Sequence, residues 1–323
     1  MKAIVVEKAG GPDVLTIREV PDPKPGPGQV LIRVRAFGLN RAEIFTRQGH
    51  SPGVQFPRII GIECVGQVVE DSSGRLAPGQ TVATMMGGMG RDFDGSYAEY
   101  TVVASERALP LETSLSWKEL AAIPEMYQTA NGSLKYSLRV QPKRTILIRG
   151  GTSSVGMTAI ALAKQWGLQV YSTTRKEDRA EVLHRQGSDG VFIDSGAIAT
   201  DLRKQLPGGV DYVLELIGTS TLNDSLSCLG EAGVVCMTGI LAGEWHLNNW
   251  NPMEHIPNGR YLTSYSGAGM SANDLQEIVR SVEANQLPLN LDRTFAFQQI
   301  VAAHEYMEAN RATGKVVVVL DSH

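Results

Sequence analysis

The sequence predicts an α/β protein of two domains, one β-rich and barrel-like, the other a doubly wound sheet of six parallel strands. Three observations predict it. Residues 1–122 are strand-rich and broken by turns, and residues 123–266 alternate strand with helix. At the head of that alternation, Thr145-Ile146-Leu147-Ile148-Arg149 runs through Gly150-Gly151-Thr152-Ser153-Ser154-Val155-Gly156 into a helix. A chain of 323 residues, 42% hydrophobic and 20% charged, is long enough for two cores.

In chain order, strands are expected at Lys2 to Glu7, Val14 to Glu19, Gln29 to Ala36, Cys64 to Val69, Gln80 to Thr84 and Ser96 to Val103. Asn40 to Gln48 reads as a short helix. Met85 to Gly95, rich in methionine and glycine, reads as an adaptable loop that either flanks a pocket or is a plain surface excursion. The apolar run Ile146 to Ile148 suits a parallel strand covered on both faces, and Val155, Ala159, Ile160, Ala163 and Trp166 follow at helical spacing. Further strands are expected at Gln169 to Thr174, Gly190 to Ile193, Asp211 to Ile217, Gly233 to Thr238 and Tyr261 to Ser266. Helices from Ala272 to Asn285 and Phe297 to Asn310 and a strand from Lys315 to Leu320 return the chain to the first domain, so residues 1–122 and 267–323 form one domain and 123–266 the other.

The glycine turn is built for a diphosphate. Gly151 lets the chain reverse, Gly156 lets helix and strand pack closely, and the free N–H groups at Thr152, Ser153, Ser154 and Val155 attract an anion. Ser153 stands where the middle glycine of G-x-G-x-x-G belongs, and its hydroxyl is a donor for a phosphate oxygen. About 20 residues on, where an acid would bind the ribose of NAD, the sequence is Ser172-Thr173-Thr174-Arg175-Lys176. Hydroxyls followed by cations, with Arg179 near, suit the 2′-phosphate of NADPH. Glu177 reads as the N3 partner of Thr174 in a capping box. Gly218, Gly239 and Ile240, after the fourth and fifth strands, are candidates for backbone contacts along the dinucleotide, and Ser264 and Ser266, closing the sixth, belong to the same set.

Composition excludes several classes. The net charge of −4 and scattered Lys and Arg leave no footprint for nucleic acid or an anionic membrane. No apolar run approaches the roughly 18 residues of a membrane span, and the expected compartment is the cytoplasm. Cys64, Cys228 and Cys236 are too few and too far apart for a disulfide framework or a cysteine-rich zinc site.

Nearly the whole chain resembles the medium-chain dehydrogenase/reductase superfamily, and within it the zinc-free quinone oxidoreductase and enoyl reductase group. The resemblance is carried by Phe37-Gly38-Leu39-Asn40 with Arg47-Gln48-Gly49, by Gly61-Ile62-Glu63, and by Gly95-Ser96-Tyr97-Ala98-Glu99-Tyr100. It continues through Gln128-Thr129-Ala130, the nucleotide turn, and Thr313-Gly314-Lys315-Val316-Val317-Val318. It implies a GroES-like catalytic domain from both chain ends around a Rossmann domain, a cleft holding nicotinamide and substrate, and a homodimer paired through Tyr261 to Ser266. No metal is implied. Zinc-dependent relatives have cysteine where this chain has Asn40, and Gly-His-Glu where it has Gly61-Ile62-Glu63, so Glu63 reads as a structural acid.

Without a Lewis acid, hydrogen bonds must stabilise a developing oxyanion, which favours acceptors that delocalise charge. The resemblance therefore implies an NADPH-dependent reductase of quinones, or alternatively of α,β-unsaturated carbonyls. A third reading is a non-catalytic NADPH-binding protein with a structural or regulatory role. Asn40 is expected either to polarise the substrate oxygen or to cap the helix that follows it, and His50 either to donate a proton or to be a plain loop residue. Thr129 is expected near the nicotinamide carboxamide, and Lys315 near the cofactor or the domain junction.

Overall fold

The computed structural model describes residues 1–267 and 269–320. The chain divides into two compact units, Met1–Glu125 with Gly269–His323, and Met126–Ala268.

In the first unit the organising element is the long strand Gln29–Leu39, whose alternating Val30, Ile32, Val34 and Ala36 are buried. It pairs antiparallel with Glu63–Asp71, Tyr100–Ala104 and Lys315–Val319. The last pairing sets Val317 opposite Gly38, so the two ends of the chain share one sheet. That seven-stranded sheet is completed by Thr81–Met85, Leu109–Pro110 and Leu291–Ala296. A three-stranded sheet of Leu15–Glu19, Lys2–Val6 and Arg58–Ile59 packs its apolar residues with Phe37, Ile44, Tyr97 and Ile300 in one core. The strand expected from Ser96 begins only at Tyr100, because Ala98 makes an isolated bridge to Ala3 and Tyr97 turns inward to stack on Phe37. The strand Leu291–Ala296, with alternation blurred by Asp292, Arg293 and Thr294, carries no period-two signal.

The second unit is a six-stranded, wholly parallel sheet in the spatial order Gly190–Ile193, Gln169–Thr174, Thr145–Arg149, Val210–Glu215, Leu229–Met237, Tyr261–Ser264. The order runs outward from Thr145–Arg149 in both directions. That strand is the switch point of a doubly wound sheet, the place where such sheets bind ligands beyond their strand ends. The fifth strand starts earlier than Gly233, its register broken where Val210 pairs with Leu229.

Candidate active site

Each of the two units holds a candidate site built from its own residues. In the second unit, Gly150 turns the chain with φ of 89° after the buried strand Thr145–Arg149, and the helix Ser154–Gln165 follows. Thr173 anchors the turn, its hydroxyl accepting from Gly150 N at 3.0 Å and its carbonyl from Gly151 N at 3.0 Å. Gly156 is obligatory: a Cβ there would lie 2.4 Å from the Gly150 oxygen and 2.9 Å from Gly151 Cα. The Ser153 hydroxyl, the expected donor to a phosphate oxygen, is engaged within the turn. It donates to Gly150 O at 2.8 Å and accepts from Gly156 N at 3.0 Å, capping the helix. The N–H groups of Ser154 and Val155 open the helix and have no acceptor within it, and Thr152 beside them is half-buried.

At the adjacent strand end, Arg175 and Lys176 are exposed and Arg179 is half-buried. The expected Thr174–Glu177 capping box does not form. Thr174 Oγ1 instead accepts from Lys176 N at 3.2 Å, a tight hydroxyl turn that hands the first helical position to Glu177. Further along, Glu215 takes the N–H groups of Ile217 at 2.7 Å and Gly218 at 3.0 Å, and its strand carbonyl takes that of Gly239 at 3.1 Å. Those three donors are therefore spent inside the protein. Gly218, with φ of 119°, lies against Ile240, so its role is close backbone approach. Ser264 and Ser266 are exposed, and Thr129 is half-buried on the helix Pro124–Gly132.

The residue that sequence reasoning passed over is Arg149. Its guanidinium is fully buried and binds Asp194 at 2.8 and 3.0 Å, Asp224 at 2.8 Å, Ser225 Oγ at 3.0 Å, and the Thr221 and Gly196 carbonyls at 3.1 Å each. Burial opposes its charge, but Asp194, Glu215 and Asp224 outweigh that and hold its pKa above the ordinary value. The available signal was an arginine closing a strand otherwise read as buried on both faces.

In the first unit, residues of three distant motifs meet. Lys315 and Glu63 are both fully buried, with Nζ 2.5 Å from Oε1. Lys315 Nζ also donates to Asn40 Oδ1 at 2.6 Å, while Asn40 Nδ2 donates to Glu63 Oε1 at 2.9 Å and to Glu43 Oε1 at 3.3 Å. The second Glu63 oxygen accepts from Glu125 N at 2.9 Å. Glu43 closes a capping box on Asn40 N at 2.8 Å and accepts from Ile62 N at 3.1 Å. Gly38 makes room for all of this, since a Cβ there would fall 2.3 Å from Lys315 Cε and 2.4 Å from Glu63 Oε1. Burial works against the Lys315 charge, but Glu63, Glu125 and Glu43 hold its pKa above the ordinary lysine value. Burial pushes Glu43 up to about 7.

Lys315 thus presents no exposed surface to a cofactor; its ammonium is consumed by Glu63 and Asn40. Asn40 caps the helix Arg41–Arg47, and its half-buried amide already engages both hydrogens. His50 is exposed. Met86 and Phe93 of the methionine–glycine loop line an open groove of about 740 Å³ together with Val5, Pro57 and Arg107, and neither Asn40 nor His50 lines it.

Two family models match the chain, an alcohol dehydrogenase GroES-like domain over residues 26–113 and a zinc-binding dehydrogenase over residues 186–318. Over 328 residues the chain is 31% identical to a quinone oxidoreductase of Rattus norvegicus, a match covering 99% of this chain and 98% of the rat protein. It is 26% identical over 340 residues to a 2-haloacrylate reductase of a Burkholderia species, covering 98% of each. The structure of a quinone oxidoreductase from Coxiella burnetii matches with a TM-score of 0.86 at 25% identity over 99% of both chains.

Proposed function

We propose, on the premise that the chain belongs to the medium-chain dehydrogenase/reductase superfamily and to its quinone oxidoreductase group, that it is an NADPH-dependent oxidoreductase passing hydride to a quinone. The observation that carries this reading is the end-to-end match, at 31% identity, to the rat quinone oxidoreductase. NADPH, when bound, supplies the hydride at its nicotinamide ring. The chain's own residues bind and orient. Ser154 and Val155 N–H groups suit the diphosphate, and the exposed Arg175 and Lys176 suit a 2′-phosphate. Arg175→Ala should weaken NADPH binding by roughly 10- to 100-fold and leave NADH binding nearly unchanged, as loss of one charge-assisted hydrogen bond implies. Equal losses for both cofactors would refute the assignment.

On the substrate side, Asn40 is the donor we assign to the substrate oxygen, through the N–H whose contact to Glu43 is the longer one at 3.3 Å. Catalysis is independent of zinc: a lysine ammonium already lies between Asn40 and Glu63, so these residues present a cation where a metal would need free ligands. Zinc near one per chain, with activity lost on its removal, would overturn this. A second reading, reduction of a carbon–carbon double bond conjugated to a carbonyl, is favoured by the similarity to the 2-haloacrylate reductase. NADPH oxidation measured with one quinone, one enone and one simple aldehyde separates the readings. With deuterated NADPH and an enone, label belongs on the β-carbon of a saturated ketone. Turnover of none of the three, with NADPH bound, would leave the protein a non-catalytic binder.

The reading extends to a homodimer and to the cytoplasm. The edge strand Tyr261–Ser264 has a sheet neighbour on one side and an exposed Tyr261, which suits pairing with a second copy, and light scattering that finds a monomer would count against it. The three cysteines are free and buried, in keeping with a reducing compartment, and no helix among the described residues is long and apolar enough to cross a membrane.

A further inference from the structure

We propose that Lys315 is a positioning residue for the reaction, fixing the amide of Asn40 so that one N–H is aimed at the substrate oxygen. The inference rests on the reading of Asn40 as the donor to that oxygen. An ammonium has only donors, so Lys315 Nζ at 2.6 Å admits the oxygen of the Asn40 amide and excludes its nitrogen. The nitrogen then faces Glu63 at 2.9 Å and Glu43 at 3.3 Å. The amide is held at both ends. The contact at 2.9 Å stays, and the one at 3.3 Å, at the long limit for a hydrogen bond, is exchanged for substrate at little loss.

The ion pair is hard to explain by stability. Two charges are fully buried at 2.5 Å, and an apolar pair of similar volume commonly stabilises a fold as well or better. What charge adds is direction. The seat is also built at a cost in freedom elsewhere: Gly38 tolerates no Cβ, and Gly314, with φ of 119°, turns the chain immediately before Lys315. Three segments far apart in the chain are constrained so that one ammonium lies behind one amide. A preset donor direction is what an active site gains from such support, because an amide free to flip presents its oxygen as often as its hydrogen.

The test separates structure from positioning with neutral pairs. Lys315→Met leaves Glu63 as an unpaired buried charge and should lower the melting temperature. Lys315→Met with Glu63→Gln removes both charges and should return melting to within roughly 3 °C of wild type. If Lys315 positions Asn40, kcat of the double variant stays roughly 10- to 100-fold below wild type, while NADPH affinity changes less than about 3-fold. Recovery of kcat together with melting would reduce the pair to a structural one, and a fall in NADPH affinity matching that in kcat would return Lys315 to the cofactor; either result overturns the proposal. Should the methionine pair fail to fold, Lys315→Gln with Glu63→Gln keeps hydrogen-bonding atoms at both places and is read in the same way. Asn40→Ala, assayed alongside, keeps the two readings apart. Unchanged kcat in that variant refutes the role of Asn40 itself, whereas loss there with full kcat in the neutral pair refutes only the role of Lys315.

Discussion

Arg149→Met is the substitution whose consequence the structure defines best. The guanidinium makes six hydrogen bonds, two of them a fork on Asp194, whose side chain is only 6% exposed. Methionine fills much of the volume but none of the bonds. Asp194 keeps Gly196 N at 2.9 Å and loses its counter-ion, the situation that costs about 3–5 kcal/mol for a broken buried pair. Asp224 loses less, because Ile198 N and Ala199 N still bond to it at 2.9 and 3.1 Å and its side chain is 18% exposed. The expected destabilisation is therefore about 4 kcal/mol, or a melting shift of roughly 10 °C in a unit of this size. Three of the four tryptophans, Trp166, Trp245 and Trp250, lie in Met126–Ala268, so tryptophan fluorescence follows the right transition. Adding Asp194→Asn should recover part of the loss by removing the stranded charge. A shift below roughly 3 °C for Arg149→Met, or no recovery in the double variant, would refute the view that this arginine ties down the strand ends next to the glycine turn.

Other outcomes follow from single contacts. Gly156→Ala places a methyl 2.4 Å from the Gly150 oxygen, a backbone atom that cannot swing away, and should cost about 1–3 kcal/mol and at least about tenfold in NADPH affinity. Gly208→Ala, where no atom lies within 4 Å, is the control and should be nearly neutral by calorimetry and cofactor titration. His304 is buried beside Tyr97 and Arg47, and burial first, then Arg47, lowers its pKa to about 3. Its folded pKa lies below the unfolded value near 6.5, so it contributes stability above that value that is lost as pH falls toward 3, about 4–5 kcal/mol in all. His304→Gln should flatten the acid limb of a stability–pH curve, and an unchanged limb would count against a neutral buried imidazole. Glu43 has the opposite sign. Its folded pKa, raised to about 7, means that stability present at pH 4.5 is lost as pH rises to 7, by about 3 kcal/mol, and Glu43→Gln should remove that slope in urea titrations.

Residues whose place is dictated by their own neighbours in the chain are legible in the sequence, and those placed by distant partners are not. The parallel sheet is readable because its strands are short runs set between turn and helix segments, and Gln169–Thr174 and Gly190–Ile193 begin and end where the pattern says. Leu291–Ala296 is not, since its pairing with Lys315–Val319 rather than its own alternation makes it a strand. In the sites the division is sharper. Gly156 is legible because backbone geometry alone dictates it. Ser153 is legible as an unusual member of the turn but its local bonds are not, because a hydroxyl beside a helix start has an acceptor and a donor of the backbone within reach. Lys315 and Glu63 are separated in sequence by 252 residues, so nothing local distinguishes a buried, paired lysine from one that reaches a cofactor. What the sequence does hold is Gly38. Its Cβ position coincides with the ion pair, so the glycine of Phe37-Gly38-Leu39-Asn40 records the presence of a large side chain arriving from elsewhere. Gly38→Ala is accordingly expected to do what Lys315→Met does: displace the ammonium, leave Glu63 unpaired, and lower melting by several degrees. A fully stable Gly38→Ala protein would show that the seat of the ion pair is looser than its distances imply.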